Sequence, residues 1–299
     1  MIKRMAIKKI MVSTICLILF LLFYFIPTHD SIEYEINISK SKSEKVVYLL
    51  DEDNYVSRVI SYFDSNNINE EVRKRIDILM NGYNIFYGVI PTNTKLNSIK
   101  VDKNNIYLDF SSDLLNINKY MSESFLEAIT YTLTEINGIN NVYIDIDGKR
   151  LNKLNDINIS YPLNRNIGIN KEYNISNLNS LNKTTVYFSK VIDEYKYYVP
   201  VTKIYSDDEE KIEVIIKELK SSVNSQNNLN GYFENNVDLL KYIIDDNNIS
   251  LVFNKVVNNN TEVILCASIF ENYNVNSVTF KYNDNDIVIK KDDLKSLDF

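Results

Sequence analysis

The side chains best suited to chemistry in this chain are the carboxylates of its first half: Asp51, Asp53, Asp109, Glu127, Glu135, Asp145 and Asp147. Two of them would suffice for glycoside hydrolysis, one protonating the leaving oxygen while the other activates water or attacks the sugar. Their placement argues otherwise. Asp51, Asp53, Asp145 and Asp147 fall at turns and strand ends, where carboxylates solvate the backbone, and Glu127 and Glu135 fall on the polar side of a predicted helix. The run Asp145-Ile-Asp-Gly148 invites a calcium reading, but it lacks the ligands at alternate positions that a calcium loop needs. A hairpin turn explains it better.

Other reactive groups are scarce. The one histidine, His29, precedes the folded repeats, so a histidine-dependent triad is excluded. No glycine-rich phosphate loop is present, and no Cys/His set has metal-ligand spacing. Cys16 lies in an apolar run and Cys266 in a predicted helix, so no disulfide framework is expected. No catalytic, cofactor-binding or metal-binding residue is therefore assigned, and no cofactor is expected. Tyrosine is abundant, with 22 residues; the cluster Tyr195, Tyr197 and Tyr198 is read first as ordinary strand residues and second as an interface.

Composition bounds what positions these residues. At 299 residues and 45% hydrophobic, the chain can bury cores in about two domains. The net charge of -7, with basic residues interspersed among acids beyond the N-terminus, argues against nucleic acid as a partner. Lys3, Arg4, Lys8 and Lys9 precede an apolar run over 10–26 that Pro27 closes. It has no small residues suited to cleavage and predicts an uncleaved helix anchored in a lipid bilayer, the basic tip cytoplasmic and the rest extracytoplasmic. Ile15 stands where a lipidated Cys16 would require a small residue, so lipidation is not expected.

Beyond the anchor the chain repeats itself. Lys45-Val-Val-Tyr-Leu-Leu returns as Thr184-Thr-Val-Tyr-Phe-Ser, and Ile106-Tyr-Leu-Asp-Phe returns as Ile249-Ser-Leu-Val-Phe, in the same order. In the first copy, strands are predicted over 46–50, 56–63, 96–101, 106–110 and 142–146. A helix capped by Asn69 and stopped at Asn81-Gly82, and a second over 119–137, intervene. Leu126 gives that second helix apolar residues on more than one side, which marks either a partner contact or a wide core. The second copy predicts strands over 186–188, 197–204, 249–253 and 278–282. Its helices open at 207–210 and run over 261–273, the latter shorter than its counterpart.

The segments Val46-Val-Tyr-Leu-Leu-Asp-Glu-Asp, Ile106-Tyr-Leu-Asp-Phe-Ser-Ser, Glu127-Ala-Ile-Thr-Tyr-Thr-Leu-Thr-Glu-Ile and Val142-Tyr-Ile-Asp-Ile-Asp-Gly-Lys resemble the GerM family. The resemblance is strong over 45–169, including Pro162-Leu and Ile167-Gly-Ile-Asn, and weaker over 182–290. It implies tandem GerMN domains and an α+β fold in which each domain is a mixed or antiparallel sheet with two helices on one face. The expected organisation is a basic tip and transmembrane anchor at 1–28, a polar stalk at 29–44, a first domain at 45–165, an Asn-rich linker at 166–182, a divergent second domain at 183–290 and a tail at 291–299. It also implies a non-enzymatic protein of spore formation or germination, facing the space between mother-cell and forespore membranes. There it would act as a scaffold stabilising a ring or channel complex, with other sporulation envelope or channel proteins as partners. Mother-cell membrane is the expected site of insertion, although family members are often lipoproteins and this chain carries a helix instead. A peptidoglycan-binding module and a cryptic wall hydrolase are the alternatives, with peptidoglycan as the corresponding partner.

Overall fold

A computed structural model describes residues 42–176, 181–206, 208–222, 228–234, 236–282, 286–297 and 299. The anchor expected at 10–26 and the stalk up to residue 41 lie outside them; among the described residues no helix is long and apolar enough to cross a membrane.

The β-branched and aromatic residues of the first copy pair as an antiparallel hairpin, β1 (Glu44–Leu50) with β2 (Val56–Tyr62). Helix α1 (Ile68–Asn81) follows, its acidic Glu70 and Glu71 beside the positive end. Its cap is Asn67, not the expected Asn69: the Asn67 side chain accepts the Glu70 N–H at 3.0 Å, which puts Asn69 inside the first turn. Gly82 ends it at φ 76°, donating to the Ile78 carbonyl at 2.8 Å. Strands β3 (Leu96–Asp102) and β4 (Asn105–Phe110) pair antiparallel; α2 (Ser122–Thr134) then crosses over so that β5 (Asn141–Ile146) lies parallel to β4. Asp147 and Gly148, both at positive φ, turn the chain into β6 (Lys149–Arg150), as the hairpin reading of that run expects. A small hairpin, β7 (Lys153–Leu154) with β8 (Ile157–Asn158), closes the copy.

After β9 (Glu172–Asn174), the second copy repeats the plan. Long strands β10 (Asn182–Ile192) and β11 (Tyr195–Tyr205) form a hairpin turned at Asp193 and Glu194; α3 (Lys211–Ser221), β12 (Leu239–Ile244) and β13 (Asn248–Phe253) follow. Helix α4 (Asn259–Asn272) carries the chain over to β14 (Ser277–Lys281), parallel to β13, and β15 (Asp286–Lys290) completes the sheet. Helix α4 spans 14 residues against 13 for α2, so it is not the shorter one. Asn258 caps it, and Asn259 and Asn260, loop residues by composition, form its first turn.

The fold is mixed α+β, but each copy divides its strands between two sheets. The later strands form a four-stranded sheet of their own, β3-β4-β5-β6 in one copy and β12-β13-β14-β15 in the other. The two opening hairpins share a single sheet in the order β1-β2-β11-β10, joined where Tyr198 stands opposite Arg58. The polar segment expected as a linker joins that sheet too, because β9 runs parallel along β11 from Lys203 to Tyr205. Both crossover helices are enclosed: every residue from Phe125 to Leu133 and from Thr261 to Phe270 is buried, so the apolar breadth around Leu126 belongs to a wide core. The tail also folds, as a 3-10 helix over Lys291–Leu297 followed by a buried Phe299.

Candidate functional site

Several buried titratable side chains meet on the seam between the two copies. Tyr48 on β1 and Tyr187 on β10 are equivalent residues of the repeat, and the seam brings their hydroxyl oxygens to 3.3 Å. Each is anchored to its own crossover helix in the same way. The Tyr48 N–H donates to Thr132 Oγ1 at 2.8 Å on α2, and the Tyr187 N–H donates to Ser268 Oγ at 2.9 Å on α4. Each phenol also reaches a glutamate at the end of that helix, Tyr48 to Glu135 at 3.1 Å and Tyr187 to Glu271 at 3.4 Å.

One cation holds both glutamates. Arg165, from the segment between the copies, pairs with Glu135 through Nη2 and with Glu271 through Nη1 at 2.6 Å, a fork suited to binding two carboxylates. Its guanidinium carbon lies 4.8 Å from the Tyr131 ring centre, and its Nε donates to Thr134 Oγ1 at 3.1 Å. Burial would raise the Glu135 carboxyl, but the positive charges of Arg165 and Arg58 outweigh it and hold the group below its usual value. Burial and the neighbouring Glu135 push the Tyr48 phenol up, and burial and Tyr48 push the Tyr187 phenol up as well, so both stay protonated.

A second pair of equivalent positions meets beside this one. Asp51 and Lys190 are buried and 2.8 Å apart, and Lys190 also reaches Asp53 at 2.5 Å. Asp51 further accepts from the Tyr197 hydroxyl at 3.0 Å and from the backbone N–H groups of Asp53 and Tyr55 at 3.0 and 2.9 Å. Burial alone would lower the Lys190 ammonium; the hydrogen bonds it donates to Asp51 and Asp53 reverse that and raise it.

The third contact is a clip made by Asn170. Its Nδ2 donates to the carbonyls of Val56 on β2 at 2.9 Å and Pro200 on β11 at 2.7 Å, while its Oδ1 accepts from the Val56 N–H at 2.8 Å. A single side chain thus hydrogen-bonds both hairpins at their junction. Its own N–H donates to Glu127 at 2.9 Å, and the adjacent Lys171 pairs with Glu127 and Glu123. Gly168, at φ 76°, lets the chain approach Thr202: a Cβ there would sit 3.1 Å from the Thr202 methyl.

Several sequence expectations change accordingly. Asp51 does bond the backbone of its own turn, at Asp53 and Tyr55, but it is also almost wholly buried against the second copy. Glu127 does not lie on a polar helix side either, since it is 3% exposed, and burial raises its carboxyl despite Lys171. Glu135 sits on the seam. Asp109 and Asp145 do act locally, Asp109 accepting from the Gly148 N–H at 2.8 Å and Asp145 pairing with Arg150 at 2.7 Å. Tyr197 and Tyr198 are buried in β11, with only Tyr195 substantially exposed. Sequence reasoning missed Arg165, Asn170 and Lys190. The register of the repeat, which sets Asp51 against Lys190 and Tyr48 against Tyr187, was the one signal that could have exposed the last of these.

At the seam the carboxylates are held by cations or backbone donors, and the phenols keep their protons. Among the described residues no three potential metal ligands converge.

Comparison with known proteins gives a consistent result. Residues 46–152 match the Germane family model, described as sporulation and spore germination. The chain is 33% identical over 187 residues to the spore germination protein GerM of Bacillus subtilis, and it spans about half the length of that relative (50%) while 60% of the chain itself is covered. Its fold matches the tandem GerMN domains of the sporulation protein GerM from Bacillus subtilis with a TM-score of 0.74 and 26% identity, over 82% of this chain and 92% of that one.

Proposed function

The chain belongs to the GerM family, and from that premise we propose that it is a non-enzymatic scaffold of the developing spore envelope. In this reading the apolar run 10–26 holds the chain in the mother-cell membrane, and the two copies project into the space between mother cell and forespore, where they stabilise a larger ring or channel complex. Partners are other envelope proteins of sporulation.

The observation that carries the reading is the use made of the reactive side chains. Of the carboxylates a hydrolase would need free in a cleft, Asp51 and Glu135 are paired with Lys190 and Arg165, which fasten one copy to the other, and Glu127 is paired with Lys171 of the segment between them. Such pairing supports a rigid two-copy body over a site that turns over substrate.

The test is the count of heat-resistant spores from a strain lacking the gene, beside the same strain complemented with the full chain. Few mature spores, restored by complementation, would support a role in building the spore. Normal numbers that revive poorly would move the role to germination, and no defect in either would remove the reading.

A further inference from the structure

Beside the seam lies a cavity of about 500 Å³ between β1, β2 and the start of α1, with Phe299 on its wall. Most of its charged groups are spoken for. Lys45 and Arg75 share Glu71 at 3.1 and 2.8 Å, and Arg75 also donates to the carbonyls of Val46 and Thr132. Glu135 is held by Arg165 and Tyr48.

Besides the exposed Glu44, the exception is Arg58. It is 6% exposed and its guanidinium carbon stacks 4.1 Å from the centre of the Phe299 ring, yet among the described residues it makes no hydrogen bond or ion pair. The ring covers one face of the guanidinium without accepting any of its in-plane N–H groups, which stay open to the cavity. Its attraction to Glu135 acts through space, without a bond. The opening turn of α1 adds donors: Asn67 takes up the N–H groups of Glu70 and Glu71, which leaves those of Ile68 and Asn69 without a partner inside the helix.

We propose that this cavity binds the free carboxylate of a peptide terminus, gripped by Arg58 and the start of α1. A planar carboxylate matches the fork of a guanidinium through two parallel hydrogen bonds. A dianion fits less well than a monoanion, because Glu44, Glu71 and Glu135 also line the cavity and repel each negative charge added. The volume admits a terminal dipeptide and not a folded segment. The inference stands apart from the scaffold reading, since it concerns what the cavity binds whether or not the protein shapes the spore.

Such a terminus has two sources, the end of a protein or the stem peptide of the wall, and the test separates them. Acetyl-L-alanyl-L-alanine, its D,D form, the L,L amide and inorganic phosphate are each titrated by calorimetry into the full chain in detergent. The expected result is that one of the acids binds at least about ten-fold more tightly than the amide and the phosphate, and that Arg58→Gln weakens it about ten-fold. L,L preference assigns a protein terminus and D,D preference a wall stem. Arg58→Lys, which keeps the charge but not the fork, should fall between, and it keeps the test open if Arg58→Gln does not fold. Equal binding of acid and amide, tighter binding of phosphate, indifference to Arg58→Gln, or no acid binding below about 10 mM overturns the proposal.

Discussion

The hydroxyl oxygens of Tyr48 and Tyr187 lie 3.3 Å apart, although 139 residues separate the two in the chain. Each phenol has one proton and, besides the other phenol, a glutamate within reach, Glu135 for Tyr48 and Glu271 for Tyr187. Arg165 fixes both glutamates and so fixes where both phenols point. The two copies are therefore joined through their own equivalent residues, with a single arginine supplied from between them.

Removing that arginine leaves two carboxylates close together with no shared cation. Arg165→Met should destabilise the protein by about 2–3 kcal/mol, somewhat below the cost of breaking a fully buried pair because the guanidinium is partly exposed. Urea unfolding measures it. Adding Glu135→Gln and Glu271→Gln should recover part of the loss, and no recovery would mean that Arg165 matters only for packing.

The Asp51–Lys190 pair is more deeply buried, with side chains 0% and 2% exposed. Lys190→Met strands Asp51 and should cost about 3–5 kcal/mol. A double-mutant cycle with Asp51→Asn should give a coupling energy above about 1 kcal/mol; additive single effects would show that the ion pair itself contributes little.

Asn170 should be hard to replace, because its side chain bonds three backbone groups and its φ of 45° suits asparagine. Asn170→Ala should cost about 2–3 kcal/mol. Hydrogen exchange should then quicken at the Val56 amide, which donates to the Asn170 side chain, while amides in β4 and β13 stay slow. Uniform quickening throughout the protein would contradict a local clip.

Acid should act on the seam through Glu135. Its folded pKa is depressed, so its stabilisation is complete above the unfolded value of 4.5 and is lost as pH falls through the folded value. Glu127 has the opposite sign: its folded pKa is raised, and its contribution declines as pH rises through the window above 4.5. Unfolding free energies measured from pH 3 to pH 7 should fall less steeply on acidification for Glu135→Gln than for the native chain, and more steeply for Glu127→Gln.

Cys266 is wholly buried in α4, and burial pushes its thiol well above the ordinary range. In a Cys16→Ser background, its reaction with a thiol reagent should proceed only at the rate of unfolding, at neutral pH and without denaturant. Rapid labelling of the native protein would mean that α4 opens locally.

Much of the fold can be read from local pattern. Alternation in 46–50 and 106–110, helical spacing from Phe125 to Leu133 and the stop at Gly82 each leave a mark within a few residues. Strand β12 left none, because Leu239 to Ile244 follow a polar stretch and four of the strand's six residues are exposed. The seam was harder still. Asp51 in a run of acids looks like a turn residue until Lys190 arrives from the other copy, and Asn170 looks like linker because its partners, Val56 and Pro200, are distant in sequence. Burial that depends on residues more than a hundred positions away is invisible to periodicity.

The sign of the charges at Asp51 and Lys190 also decides which halves can associate. Were the first halves of two chains to face each other across this surface, Asp51 would meet Asp51; were the second halves to do so, Lys190 would meet Lys190. Like charges in so dry a setting repel strongly. A first half accepts a second half and refuses its own kind, so this surface pairs unlike halves only.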